Sequence, residues 1–143
     1  VSSQIQHDDD FYGWSSQQAQ FLKNKEYGKL DMENLIDEVE CLGKSEKRML
    51  ESYLENLLMH MLKVKYQPEM HTRSWDLTIK LAGHKVQKTL TENPSLKYKI
   101  KEIFEDAYYH ARLKAMQETA LPEILFPVEC PWSIENVIPE FKK

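Results

Sequence analysis

Between residues 63 and 75 the chain gathers Lys63, Lys65, His71 and Arg73 with Tyr66 and Trp75 around Pro68. Cations interleaved with aromatic rings suit anionic ligands, because a guanidinium forks onto phosphate or carboxylate and single-stranded bases stack on rings. The Ser74 hydroxyl, beside the free amides of a helix expected to start there, would complete an anion pocket. The binding residues the sequence nominates are therefore Lys63, Tyr66, His71, Arg73 and Ser74. The competing reading is structural. In it Ser74 caps that helix, Trp75 anchors it in the core, and Arg73 pairs with an acid from the first third of the chain.

A second group carries acid–base or metal chemistry. Asn34 and Glu38 are four residues apart, at the border of an apolar stripe, and a carboxylate there can act as a base or metal ligand if partly buried. His60 lies at the edge of a later apolar arc, one turn before Lys63. Glu38 and His60 are thus the candidates for catalysis and for a metal. Each also has a structural reading, a flank Glu paired to a Lys and a hydrogen-bonded packing His. His7 lies in a polar terminus and His110 beside Tyr108 and Tyr109, neither with a stronger claim. The five histidines form none of the spacings typical of metal sites, and Cys41 and Cys130 stand alone, which reads as two buried thiols in a chain expected to be cytosolic. Serine-nucleophile motifs, glycine-rich phosphate loops and dinucleotide fingerprints are missing, so no cofactor is expected. The Arg-to-His spacing of one class of helical ribonucleases is absent as well.

These residues must be positioned by helices, since no alternating run is long enough for a sheet. Ser15 and Gln18 read as a capping box for a first helix near 15–26, with Gly28 as a stop. Asp31 caps the next, where Leu35, Ile36, Val39 and Leu42 share a face opposite Glu33, Asp37 and Glu40. Gly43 and Ser45 predict a kink or one-turn break. From residue 46 to 66, eight apolar residues from Met49 to Leu62 cover about 220° of arc, which predicts a central helix. Gln67-Pro68 ends it. Trp75, Ile79, Ala82, Val86 and Leu90 mark a third helix, in which Gly83 predicts a close neighbour. Asn93-Pro94 opens a fourth, running to about Glu118, and residues 132–138 offer at most two turns. The fold class is all-α: a bundle of four to five main helices around a long central segment, with an irregular proline-containing C-terminal tail. Residues 1–10 are expected to be a flexible N-terminus, 11–138 one helical domain and 139–143 a tail.

The 143 residues suit one core, with 41% hydrophobic and 29% charged residues. No stretch is apolar enough to span a bilayer, so a cytoplasmic, non-membrane protein is expected. The net charge of −4 is unevenly spread. Residues 1–43 carry 3 Lys/Arg and 9 Asp/Glu, residues 44–101 carry 12 and 6, and residues 102–143 carry 4 and 8. The basic middle would guide an anionic partner, or would let basic and acidic helices neighbour each other.

The order of local sequences resembles a known family. The run Asp10-Phe11-Tyr12-Gly13-Trp14 is followed by residues 30–36 with Glu38, Glu40 and Leu42-Gly43. Then come residues 58–63 with Tyr66-Gln67-Pro68-Glu69 and Arg73-Ser74-Trp75, and last Asn93-Pro94-Ser95-Leu96 and Cys130-Pro131-Trp132-Ser133. Together they resemble the bacterial family called domain of unknown function 29, over about residues 10–138. The resemblance implies a small helical bacterial protein of a kind numerous in cyanobacteria, with no established activity.

Three functions follow as expectations. The leading one is a non-catalytic binding module whose basic central edge meets an acidic protein or nucleic acid. The alternative is a metal-assisted hydrolase or nuclease using Glu38, His60 and Arg73 in a polar cleft. The third is a structural protein that self-associates, as a homodimer, through the apolar arc of the central helix.

Overall fold

Asp10 sets the first helix one turn earlier than Ser15 would. Its carboxylate accepts from the Gly13 amide at 2.9 Å, and α1 runs Phe11–Lys23. Gly13 is required there, because a Cβ would collide with the Asp10 carboxylate. Ser15 instead donates to the Tyr12 carbonyl, and Gln18 turns inward, so the expected capping box does not form. The helix stops before Lys25, whose φ of 58° is left-handed, and not at Gly28.

In this computed structural model, which describes residues 4–139, α1 is followed by α2 (Met32–Tyr66), α3 (Arg73–Glu92), α4 (Ile100–Thr119) and α5 (Ile134–Val137). Short 3₁₀ turns at Tyr27–Lys29, Pro68–Met70, Pro94–Lys99 and Glu123–Leu125 join them. The described residues contain no strand, and no helix among them is long and apolar enough to cross a membrane. Residues 1–3 of the expected flexible terminus and 140–143 of the expected tail lie outside the described residues.

The break expected at Gly43 is absent: α2 is continuous over 35 residues. One interior glycine costs only about 1 kcal/mol, and the strong helix formers from Glu46 to Leu50 outweigh it. Gly83 likewise has no close neighbour, since a Cβ there would meet nothing within 4 Å. Nor does Ser74 cap α3. That helix begins at Arg73 with Thr72 at its N-cap.

The chain divides into two compact units, Val1–Lys44 and Ser45–Lys143, with the division inside α2. In the first unit α1 lies beside the start of α2, and a polar network joins them. The Trp14 indole N–H donates to Asp31 Oδ2 at 3.0 Å, the Asn34 amide donates to the same oxygen at 2.8 Å, and the Asp31 N–H donates to Gln18 Oε1 at 2.7 Å. The Asn34 backbone N–H also donates to Asp31 Oδ1, at 3.4 Å, so Asp31 serves as the expected cap of α2. The Asn34 amide, helped by the Trp14 indole, holds its carboxyl below the usual range.

The second unit holds the hydrophobic core. Leu50, Leu54, Leu57, Leu58, Met59 and Leu62 of α2 are buried, as their wide arc predicts. They pack with Ala82, Val86 and Leu90 of α3, with Ile103, Phe104, Ala107, Ala111 and Ala115 of α4, and with Phe126 and Ile138 beyond it. The Tyr108 hydroxyl donates to the Pro127 carbonyl at 2.5 Å and Arg112 Nε to that of Phe126 at 3.0 Å, which fastens the segment after α4 to the core.

Candidate functional site

Part of the 63–75 cluster gathers around Trp75, and there two of its four basic residues, Lys63 and His71, already have acidic partners in the same chain. Lys63 Nζ lies 2.9 Å from Glu118 Oε2 and 4.5 Å from the Trp75 ring centroid, with only 12% of its side chain exposed. His71 stacks on Trp75 and places Nε2 2.6 Å from Asp76 Oδ1. Tyr66 meets the edge of Phe126, and Lys65 sits 5.7 Å from the rings of both Tyr66 and Trp132. Ser74 is exposed, and its carbonyl accepts from the Thr78 hydroxyl. Arg73, like Lys65, is exposed and makes no ion pair among the described residues.

Arg73 opens a longer surface that the sequence reading missed. At about 100° per residue, positions 73, 77, 80, 81, 84 and 88 of α3 fall within roughly 100° of arc. They carry Arg73, Leu77, Lys80, Leu81, His84 and Lys88, all exposed, with Leu77 at 52% and Leu81 at 57%. Lys88 reaches Glu92 only at 4.0 Å, while Lys80 makes no ion pair among the described residues. The opposite side, with Ala82, Val86 and Leu90, is buried. The signal lies in the 4, 3, 1, 3, 4 spacing of these residues, on the face opposite the core stripe. Because the core fixes one side of α3, the basic and apolar groups on the other side have a set spacing.

Glu38 and His60, the candidates for catalysis or metal binding, each have a local partner. Glu38 Oε1 lies 2.7 Å from His7 Nε2, and the His7 Nδ1 lies 2.7 Å from Asp8. When protonated, the ring donates to a carboxylate at each nitrogen, and the hydrogen bonds to Glu38 first and Asp8 second raise the His7 pKa. The imidazole also meets the Trp14 ring edge-on at 4.7 Å. His7 is therefore no idle residue of a polar terminus. His60 Nδ1 bonds to the Asn56 carbonyl at 2.9 Å, within its own helix. Among the described residues, no group of three or more His, Cys, Asp and Glu is placed to hold a metal ion.

A concavity of about 580 Å³ beside α4 is walled by Phe104, Tyr108, Tyr109 and Trp132, with Lys101 and Arg112 set against Glu105 and Glu129. Burial pushes the Tyr108 hydroxyl up to about 12 and raises the Cys130 thiol, so neither is a ready nucleophile. The charges at its edge cancel, which leaves no preferred ligand charge.

The model of one family, described as "Domain of unknown function DUF29", matches residues 6–141. No curated protein and no solved structure matches the chain.

Proposed function

Starting from a chain that belongs to the DUF29 family, we propose that it is a non-catalytic binding module, with the outward face of α3 as its contact surface. The observation that carries this reading is the exposed pair Leu77 and Leu81 set among Arg73, Lys80, His84 and Lys88. Such a face fits an acidic amphipathic segment of a partner protein. Its carboxylates would meet Arg73 and Lys80, and its apolar residues would cover the two leucines. This refines the basic edge expected around residues 63–75, where Lys63 and His71 already hold Glu118 and Asp76. The exposed leucines favour protein over nucleic acid, because the face offers no aromatic ring on which a base could stack.

The test is capture of partners from the native lysate by the full chain, with lysine crosslinks mapped. One partner crosslinked at Lys80 or Lys88, lost with Arg73→Glu/Lys80→Glu and kept with Lys97→Glu/Lys99→Glu, is the expected outcome. Capture that is indifferent to the first pair of substitutions removes the surface. Salt-sensitive binding of a single-stranded oligonucleotide, with no captured protein, would replace the protein partner with nucleic acid.

A further inference from the structure

The first unit carries an apolar strip that its own two helices leave open. Phe11 and Leu22 of α1 are 52% and 48% exposed, and Met32, Ile36, Val39 and Leu42 of α2 are 55%, 51%, 64% and 69% exposed. A groove of about 300 Å³ between the helices, lined by Trp14, Gln18, Leu35, Val39 and Leu42 among others, runs along the strip. We propose that this strip is a seam on which a second copy of the chain docks, pairing hairpin with hairpin into a four-helix arrangement about a twofold axis.

Three observations select a second copy over another occupant. The first is area: six large side chains about half to two-thirds exposed amount to roughly 700 Å² of apolar surface on one copy. A stable interface of ordinary size needs about 800 Å² on each partner, so two such strips suffice once their rims are counted. The second is charge. At about 100° per residue Asp37 falls on the side of α2 away from the seam, while Glu33 and Glu40 stand along its edge, about 60° and 40° from Ile36. The single carboxylate that lines the groove, Glu38, is held by His7. The middle of the seam is therefore close to neutral although its edge and the unit around it are acidic. A second copy covers that neutral middle without burying a charge, provided that the acidic edges of the two copies stay in solvent. The third is the poverty of the unit's own interior. Among the described residues of the first unit only Trp14 and Gln18 are buried, and so small a core ordinarily needs oligomerisation or another staple. A twofold pairing is the commonest way to meet that need, because one self-complementary patch serves both copies.

Sedimentation equilibrium of the full chain from about 1 to about 100 µM should show monomer passing to dimer. Val39→Glu/Leu42→Glu should weaken the dimer by about 100-fold or more, because two charges would then have to be desolvated in each copy. Val39→Lys/Leu42→Lys should weaken it comparably, with helicity unchanged in both, since the residues replaced are exposed. A chain that stays monomeric at about 100 µM overturns the proposal. So does a dimer that survives both double substitutions, or one tightened by the lysines, since the contact would then be driven by charge. A dimer broken by Leu77→Glu/Leu81→Glu and untouched by the Val39 and Leu42 changes would also overturn it. Failure of partner capture on the α3 face leaves this result unaffected, because the two tests alter different residues.

Discussion

The two halves of α2 carry apolar residues at similar density, yet they meet opposite fates. Beyond Ser45, Leu50, Leu54, Leu58 and Leu62 are fully buried, while before it Ile36, Val39 and Leu42 are more than half exposed. The difference lies in what surrounds each half. The second unit supplies α3, α4 and the segment around Phe126, enough surfaces to enclose a wide arc. The first supplies only α1, and it is held together by polar contacts: Trp14 and Asn34 on Asp31, Gln18 on the Asp31 amide, and His7 on Glu38. Periodicity states which face is apolar, and the number of neighbouring elements decides whether that face is dry.

A pair of identical substitutions puts this contrast to the largest test. Leu58→Ala removes a side chain with no exposure, so it should cost about 2–5 kcal/mol through lost transfer energy and the cavity left behind. Leu42→Ala, at 69% exposure, should change stability by no more than about 0.5 kcal/mol when measured well below any dimerisation range. Urea denaturation followed by far-UV circular dichroism measures both. Comparable losses at the two positions would mean that Leu42 is covered in the monomer, and the contrast would fail.

The contrast also explains how much the sequence could disclose. The all-helical class, the Asp31 cap, the end of α2 before Pro68 and the central place of its second half were legible, because each depends on local spacing or a single turn residue. The start of α1 was misplaced because Asp10 and Ser15 both offer a capping oxygen, and the choice rests on Gly13, whose missing Cβ leaves room for the Asp10 carboxylate. For the candidate site the limit was different. Lys63 reads as a free cation along the chain, but its partner Glu118 comes from 55 residues away, and the His7 contact to Glu38 spans 31. Such pairings depend on tertiary packing, which spacing does not encode. The α3 surface could have been found, since its cations and leucines share a local period.

A smaller effect should be the same in both units, which sharpens the comparison by isolating the backbone from its surroundings. Gly43 lies in the first unit and Gly83 in the second, both inside helices with open space at the Cβ position. Gly43→Ala and Gly83→Ala should each stabilise by about 0.5–1 kcal/mol, because alanine loses less backbone freedom on folding. Thermal melts would show two similar upward shifts. A gain at Gly83 alone would mean that helix strength matters only where a core is present. Gly13→Ala should go the other way, since its methyl would displace the Asp10 cap.

The subtlest test belongs to the polar side of the contrast. The folded chain raises the His7 pKa above its ordinary 6.5, chiefly through the hydrogen bonds to Glu38 and Asp8, so the folded state favours the imidazolium. A group with a raised folded pKa contributes stability that is fully present below the unfolded value. That contribution is lost as pH rises through the folded value. The first unit should therefore be tightest below about pH 6.5 and loosen above the raised pKa, because loss of a proton leaves one of the two carboxylates without a donor. The core of the second unit has no equivalent dependence, since apolar burial does not titrate. Hydrogen exchange at a series of pH values, corrected for intrinsic rates, would resolve the two. Protection at the start of α1 should fall with rising pH in the native chain and stay level in His7→Gln, whose amide does not titrate. Equal profiles for the two chains would show that the His7 contacts add nothing to the hairpin, and its cohesion would then rest on Trp14, Asp31 and Asn34.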